Sequence, residues 1–460
     1  MLNRRDQKLS KFSLKGAILR TGGALMLGSA AFGIAVPMAH ANHPSVSKSG
    51  TDEVLAYRMQ KGDNLHLLAQ RHMVNAGAVR TVQRLNHITN PHAIPVGTIV
   101  RIPYRLLKYK PETARLVAWR GNVAIGRSNA PTFGMELGEG IAIATGQGGF
   151  VTLQLSNGSR VSIPSQSSVR IAKMREYLIN GALDYELAVD KGRINTKATP
   201  LKNPDSRYRI RTPIAVSAVR GTEFRVKLMG DDVPSLTEVL EGTVAVAPPN
   251  AANATDVPKG VGMALTSTGD SSTENLLPAP ELIAPGKVQK EEKLTFTAQP
   301  VQGAARYRAI LATDASMAEV FEEATSDTPE INFPNIPNGK YFVRVSAFSP
   351  NGFEGFTNSY GFRRRLLTVG GAAAPADDGS VLFKWDAGGS GKVVHRFQLY
   401  RDAVTNTPYI DEAGLTKSEI RLNQLPPGTW FWRVGISLYE DGTVTENWTS
   451  PEKLTIAREE

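Results

Sequence analysis

Apolar and polar positions near the start of the chain follow first a strand pattern and then a helical one. Residues 54–59 alternate as a strand does, and the apolar residues of 65–69 fall on one helical face. A second helical pattern covers 78–85, and the strand pattern returns at 98–102. This order predicts a small strand, helix, helix, strand module over residues 54–104.

From residue 112 to 265 the pattern changes to short alternating runs separated by Gly, Asn and Asp. Runs at 151–155 and 160–163 flank Asn157-Gly158, a dipeptide that favours the tight turn of a hairpin. Further strands are predicted at 208–211, 223–228, 237–240 and 243–246. The pattern predicts an all-β domain over 112–265, followed by a linker at 266–281 that is rich in Pro, Ala, Ser and Thr.

The last third of the chain contains a repeat. Matching segments recur at a constant offset of 89 positions, as from Gly339 to Gly428. Such an offset predicts two duplicated β-sandwiches, at residues 282–367 and 372–457. In each copy one strand alternates strongly, and the residues predicted to face inward are Tyr341, Val343, Val345 and, in the second copy, Trp430, Trp432, Val434.

The first 41 residues have the pattern of an export signal. Six basic residues precede an uncharged run that ends at the small-x-small sequence Ala39-His40-Ala41. The run is shorter than the roughly 20 apolar residues that a membrane span needs. We therefore expect cleavage before Asn42, export to the periplasm or cell surface of a bacterium, and no membrane span in the mature chain.

Composition narrows the possible partners and chemistry. The formal net charge is +10, of which the leader contributes five, so the mature chain carries about +5. This mild charge suits an anionic envelope, and no basic stripe interleaved with aromatic residues indicates nucleic-acid binding. The chain has no cysteine, which excludes disulfides, thiolate metal sites and cysteine nucleophiles.

The N-terminal module contains a series of motifs in a fixed order, namely 57–65, Leu68-Ala69, Asn86, Asn90-Pro91, Ile94-Pro95, Gly97 and Ile102-Pro103. In these motifs the module resembles the LysM family. The resemblance implies a module that binds peptidoglycan or a chitin-like glycan containing N-acetylglucosamine, in a groove between two loops. The implied glycan-binding residues are Gly62, Asp63, Asn64, Leu65, Asn90, Pro91, His92 and Ile94. Two turns with exposed backbone can supply the polar groups that sugars need, although turn geometry alone also explains each residue.

The following domain contains its own ordered series of motifs, namely Gly121-Asn122-Val123, Gly138, Ala144-Thr145-Gly146, Asn157-Gly158-Ser159, Gly192-Arg193-Ile194, Ile210-Arg211-Thr212-Pro213, residues 219–224 and residues 241–244. In these motifs the domain resembles the FecR family. The family's namesakes relay a surface signal to a sigma factor through one membrane helix, which is not predicted here. The resemblance therefore implies an envelope β-domain suited to contacts with protein partners.

The two C-terminal repeats resemble fibronectin type III-like sandwiches, mainly at residues 425–434 and more faintly at 336–345. This resemblance implies spacing or protein contacts.

No motif of an enzyme is found in the sequence. There is no GxSxG or HExxH, and His66, His72, His87 and His92 lack the spacing of common metal ligands. The sequence thus predicts a multidomain, mostly β, non-enzymatic envelope protein with no cofactor and no metal. Two alternatives remain open, a FecR-like signalling component and a cryptic cell-wall hydrolase.

Overall fold

The structure, a computed structural model, describes residues 53–457 apart from short gaps. The gaps are residues 127–129, 229, 231–232, 250, 252, 376–378, 389–391, 403–406 and 441. The predicted signal peptide, residues 1–41, lies outside the described residues. As predicted, the fold is multidomain and mostly β, with α-helix near the N-terminal end of the described chain.

The N-terminal module has the predicted order of elements. They are β1 (Val54–Arg58), α1 (Leu65–His72), α2 (Ala78–Leu85) and β2 (Ile99–Pro103). Strands β1 and β2 pair antiparallel, with Ala56 opposite Arg101. The apolar faces of the helices and strands form one core because their spacing places them on the same side. A short 3-10 helix, Tyr104–Leu106, leads out of the module.

The central β-domain is built from strands that form two facing sheets in the described part of the chain. The strands are β3 (Tyr109–Pro111), β4 (Ala114–Arg120), β5 (Val123–Ile125), β6 (Glu136–Leu137), β7 (Ala142–Thr145), β8 (Phe150–Leu155), β9 (Arg160–Ile163), β10 (Ser167–Tyr177), β11 (Leu183–Lys197), β12 (Arg207–Arg211), β13 (Val216–Val219), β14 (Glu223–Leu228), β15 (Ser235–Glu241), β16 (Thr243–Ala247), β17 (Thr255–Pro258), β18 (Val261–Leu265) and β19 (Ser271–Asn275).

One sheet of the central domain runs β5-β7-β10-β11-β12-β13-β16-β17, and the other runs β6-β4-β8-β9-β11-β14-β15-β18-β19. Strand β3 adds to the end of β10. Strands β11 and β12 pair in parallel, whereas the other pairs named here are antiparallel. The buried apolar side chains of both sheets form a single core.

Strand β11 belongs to both sheets because it bends at Gly192. Its first part pairs with β10 and β12, and its last residues pair with β9 and β14. Gly192 has a φ of +86°, and a Cβ there would lie 2.4 Å from Ser167 Oγ and 2.5 Å from Gln166 O. Glycine is therefore required for the bend that lets one strand close two sheets.

The segment 266–281 differs from the predicted linker. Its residues 271–275 form β19, which pairs antiparallel with β18 in register Val261 to Asn275. These side chains are polar and mostly exposed, as on an edge strand, so composition alone gave no strand signal. The backbone hydrogen bonds to β18 determine the structure of this segment.

The C-terminal part comprises two sandwiches. The first contains β20 (Leu294–Thr297), β21 (Arg306–Ala312), β22 (Val320–Ser326), β23 (Glu330–Phe333), β24 (Gly339–Phe348) and β25 (Asn358–Arg364). The second contains β26 (Thr368–Pro375), β27 (Val381–Gly388), β28 (Lys392–Tyr400), β29 (Ile410–Leu415), β30 (Glu419–Leu422), β31 (Gly428–Glu440), β32 (Thr443–Trp448) and β33 (Glu452–Ile456).

Each sandwich packs a sheet centred on a long strand, β24 or β31, against a smaller sheet. The predicted inward residues of these strands are buried, including Val343 and Val345 in the first sandwich and Trp430 and Trp432 in the second. Tyr341 is half-buried. The inward pattern of both strands is thereby confirmed, whereas the predicted domain boundaries stay predictions.

Candidate functional site

The first loop of the N-terminal module turns between β1 and α1. Gly62 adopts a φ of +92°, which favours glycine, and the Asp63 N–H donates to Gln60 O over 3.1 Å. The Asp63 carboxylate accepts hydrogen bonds from the Gln60 N–H and from the Tyr57 hydroxyl, both at 2.8 Å. Burial, together with this hydrogen bond to Asp63, raises the pKa of Tyr57 to about 12. The carboxylate of Asp63 is thus engaged in holding the turn.

Asn64 begins α1 as its N-cap. The residue has extended backbone, with a φ of −144°, and its side-chain oxygen accepts a hydrogen bond from the Leu67 N–H at 2.9 Å. This bond satisfies one of the amides that a helix start leaves without a partner. Asn64 therefore stabilises the start of α1 through its side chain.

Leu65 connects the two loops. Its N–H donates to Pro91 O over 3.1 Å, so the start of α1 is tied directly to the second loop. Its side chain is 0% exposed and packs in the module core. The side chain is buried because it belongs to the apolar face of α1, and the predicted part of Leu65 in glycan binding stays a prediction.

The second loop is a turn organised by Asn90. The Asn90 side-chain oxygen accepts a hydrogen bond from the His92 N–H at 3.0 Å, and its carbonyl accepts from the Ala93 N–H at 3.3 Å. Asn90 and His92 are exposed, whereas Pro91 and Ile94 are half-buried. Ile94 packs against the module core and anchors the end of the loop.

Two histidine rings cover the junction of the loops. The rings of His66 and His92 stack with their centroids 4.4 Å apart and their planes 10° from parallel. Both residues are exposed, and we call this pair the histidine ledge. The His66 N–H lies in the first turn of α1 and makes no hydrogen bond with another described residue. The ledge therefore offers a flat ring surface beside a backbone donor.

The structure brings together both predicted loops but divides their residues by role. Asp63, Asn64 and Leu65 maintain the loop geometry, while Gly62, Asn90 and His92 are exposed. His66 was absent from the predicted site because its ring meets that of His92 only in three dimensions. Its sole signal in the sequence is a histidine in the first turn of the helix that follows the loop. The glycan contacts of these residues stay a prediction.

The site is fixed to the central β-domain through Glu53, which directly precedes β1. Its carboxylate accepts from Arg207 Nη1 at 2.6 Å and from Arg209 Nη1. Arg209, 2% exposed, also pairs with the fully buried Asp184 and with Glu186, both at 3.1 Å. Burial alone would raise the pKa of Glu53 and of Asp184, but the two guanidinium groups outweigh it and hold both pKa values below their ordinary range.

Aromatic contacts extend this junction. The rings of Tyr104 and Tyr177 lie 4.9 Å apart, and the Arg207 guanidinium lies 3.6 Å above the Tyr104 ring. Tyr177, which ends β10, is buried in the core of the N-terminal module. The module and the central domain therefore share packed side chains, so the histidine ledge keeps a fixed orientation on the β-domain.

Two segments of the chain match known protein families. Residues 57–103 match the family described as LysM domain, and residues 141–245 match the family described as FecR protein. The chain contains a LysM domain and a FecR domain. The FecR match lies inside the central β-domain and is shorter than the predicted span of 112–265. No curated protein matches the chain in sequence.

Several solved structures align with parts of the chain. A putative anti-sigma factor from Parabacteroides distasonis is 18% identical, and the match covers 29% of this chain and 59% of that protein at a TM-score of 0.25. The chain thus spans about 59% of the length of that structure. A segment of two fibronectin type III domains from chicken tenascin is 14% identical, with 38% and 99% coverage at a TM-score of 0.20.

Within the described residues, no group of three or more His, Asp or Glu side chains is arranged to hold a metal ion. Across the same residues, no helix combines the length and the apolar character that crossing a bilayer requires.

Proposed function

We propose that this chain is an exported, non-enzymatic cell-envelope protein that binds the N-acetylglucosamine glycan of peptidoglycan through its LysM domain. The single observation that carries the proposal is the joined pair of loops. The Leu65 amide ties the first loop to the second, and the histidine ledge lies across their junction. The match of residues 57–103 to the LysM family supports the same reading.

The histidine ledge and the loops make different kinds of contact with a sugar. The stacked rings of His66 and His92 pack against the apolar face of an amino-sugar ring, as flat side chains do in carbohydrate sites. The His66 N–H and the exposed side chain of Asn90 donate to sugar oxygens beside the rings. Because both loops are already held by hydrogen bonds, binding costs little ordering of the protein.

Retention on purified peptidoglycan sacculi tests this function. The protein from Asn42 onward is compared with a double variant, His66→Ala with His92→Ala, in which the ledge is removed. We expect the variant to bind about fivefold more weakly, since a stacked ring is worth about 1 kcal/mol. The matched control is His87→Asn, outside both loops, where a φ of +51° suits asparagine. Equal retention of all three proteins would contradict the proposal.

We also propose that the FecR domain and the two sandwiches present surfaces for envelope protein partners. This proposal is supported by the FecR match of residues 141–245 and by the two sandwiches that follow it, in which no catalytic motif is recognised. The signalling alternative has one observation in its favour, the FecR match itself. Crosslinking in cells separates the two, because signalling requires recovery of a membrane receptor or regulator, and scaffolding does not.

The proposal that the protein is not an enzyme rests on the matched domains, which are binding or signalling domains. A hydrolase would clear peptidoglycan in a zymogram, and we expect no clearing by the purified chain. Clearing that persists after repeated purification would favour the hydrolase alternative.

A further inference from the structure

A cavity lies between the central β-domain and the first sandwich. Its volume is about 300 Å³. One wall comes from strands β8, β9, β11 and β14, and the other comes from β21, β24 and the loop around Met317. We call it the interdomain cavity. It belongs to neither the LysM loops nor the histidine ledge.

Part of the cavity wall is apolar on both sides. Phe150, which is 6% exposed, and the half-buried Leu240 contribute from the central domain. Ile310 and Met317 contribute from the sandwich. These side chains provide a surface for an apolar group because water in contact with them is easily displaced.

The rest of the lining is cationic. Five arginine or lysine side chains face two carboxylates among the described lining residues. Both carboxylates already have partners. Glu223 pairs with Lys197 at 3.2 Å, and Glu354 pairs with Arg225 at 3.3 Å and with Arg308 at 3.2 Å. Arg225 and Arg308 also pair with Glu238 and Glu323, which lie outside the lining, so the remaining positive charge of the wall belongs to Arg344 and Arg160.

The two other cations of the wall are Arg344 and Arg160. Arg344 is half-buried and donates from Nε to Ser359 Oγ at 3.0 Å. Within the described part of the chain, no carboxylate lies within ion-pair distance of its guanidinium. Burial lowers the pKa of Arg344, in keeping with a charge that has lost part of its water. Arg160 donates to Ser316 Oγ at 2.9 Å, across the two domains.

A partly desolvated guanidinium with one neutral partner costs free energy that an anion would recover. We propose that the interdomain cavity binds a small amphiphilic anion, with its acidic group on Arg344 and its apolar body against Leu240 and Ile310. Arg160 adds positive charge at the junction. The apolar lining and the Arg344 guanidinium together support this ligand class. A purely polar anion would make no favourable contact with the apolar side chains, and a neutral apolar molecule would leave Arg344 without a charged partner.

Calorimetric titration of the protein from Asn42 onward tests the proposal with octanoate as the probe. Octanol has the same chain without the acid, and acetate has the acid without the chain. We expect octanoate to bind at least about tenfold more tightly than either, because a hydrogen bond to a charged group and the burial of methylene groups each contribute that much. Absence of octanoate binding, or equal binding of octanol, would overturn the proposal.

Variants locate the site. Arg344→Gln is expected to weaken octanoate binding about tenfold. Arg170→Gln, which removes an exposed arginine of β10 outside the cavity, is expected to leave it unchanged. Arg344→Lys keeps the charge and is expected to bind octanoate with intermediate affinity. This variant still tests the position if the glutamine variant does not fold. Equal affinity of the Arg344 and Arg170 variants would place the ligand elsewhere and refute the assignment. Retention on sacculi is unaffected in either case, so this proposal and the glycan proposal fail independently.

Discussion

Replacing Glu53 by glutamine is expected to weaken the attachment of the LysM domain to the FecR domain. The Glu53 carboxylate pairs with Arg207 at 2.6 Å and with Arg209, whose side chain is 2% exposed. Removing one partner of a fully buried ion pair costs about 3–5 kcal/mol. Glu53 is 22% exposed and Arg209 keeps Asp184 and Glu186 as partners, so we expect a smaller loss of about 1–2 kcal/mol.

Urea unfolding followed by circular dichroism measures this loss. The control is Asp411→Asn, which removes a carboxylate that pairs with the exposed Arg396 at 2.6 Å in the second sandwich. A surface pair of this kind contributes less than about 1 kcal/mol, so the control should shift the unfolding midpoint less than Glu53→Gln does. Equal shifts would show that the buried junction contributes no more than a surface ion pair, and would refute the reasoning.

The same junction predicts a direction for the effect of pH. The folded-state pKa values of Glu53 and Asp184 are lowered, so their stabilising contribution is complete above the ordinary carboxyl range. It is lost as the pH falls through the folded values, below about pH 4. Glu53→Gln should therefore reduce the difference in stability between pH 7 and pH 3. An unchanged difference would contradict this assignment.

Three further substitutions test individual contacts. Asp63→Asn removes the charged acceptor of the Tyr57 hydroxyl, so the pKa of Tyr57, about 12 in the folded protein, should fall part of the way towards 10 in an ultraviolet titration. An unshifted tyrosine titration would contradict the role of Asp63. Asn64→Ala should cost about 1 kcal/mol in urea unfolding through loss of the α1 cap, and a neutral result would show that the cap is dispensable. Gly192→Ala should cost at least about 2 kcal/mol because its φ is +86° and a Cβ would clash with Ser167, whereas Gly269→Ala, with similar φ and open space, should cost less. Equal costs would refute the steric account of the bend.

Features set by neighbouring residues were predicted well from the sequence. The order of β1, α1, α2 and β2 follows from local periodicity. The hairpin of β8 and β9 forms around Asn157-Gly158, with Gly158 at a φ of +87°, as the turn chemistry requires. In both cases residues close in the chain determine the conformation, and tertiary packing agrees with it.

Features set by distant residues could not be predicted. Strand β19 is polar, and only its hydrogen bonds to β18 make it a strand. The ion pair of Glu53 and Arg209 joins residues 156 positions apart, and no periodicity relates them. The stacking of His66 on His92 likewise depends on the approach of two loops. These contacts are decided by how the folded elements come together.

The proposed binding of the glycan to the joined loops of the LysM domain is tested most directly by nuclear magnetic resonance of the protein labelled with ¹⁵N at histidine and titrated with a soluble chitin oligomer. We expect the amide signals of His66 and His92 to shift in a saturable way while that of His87 stays in place. Unmoved signals of His66 and His92 at millimolar oligomer would contradict it.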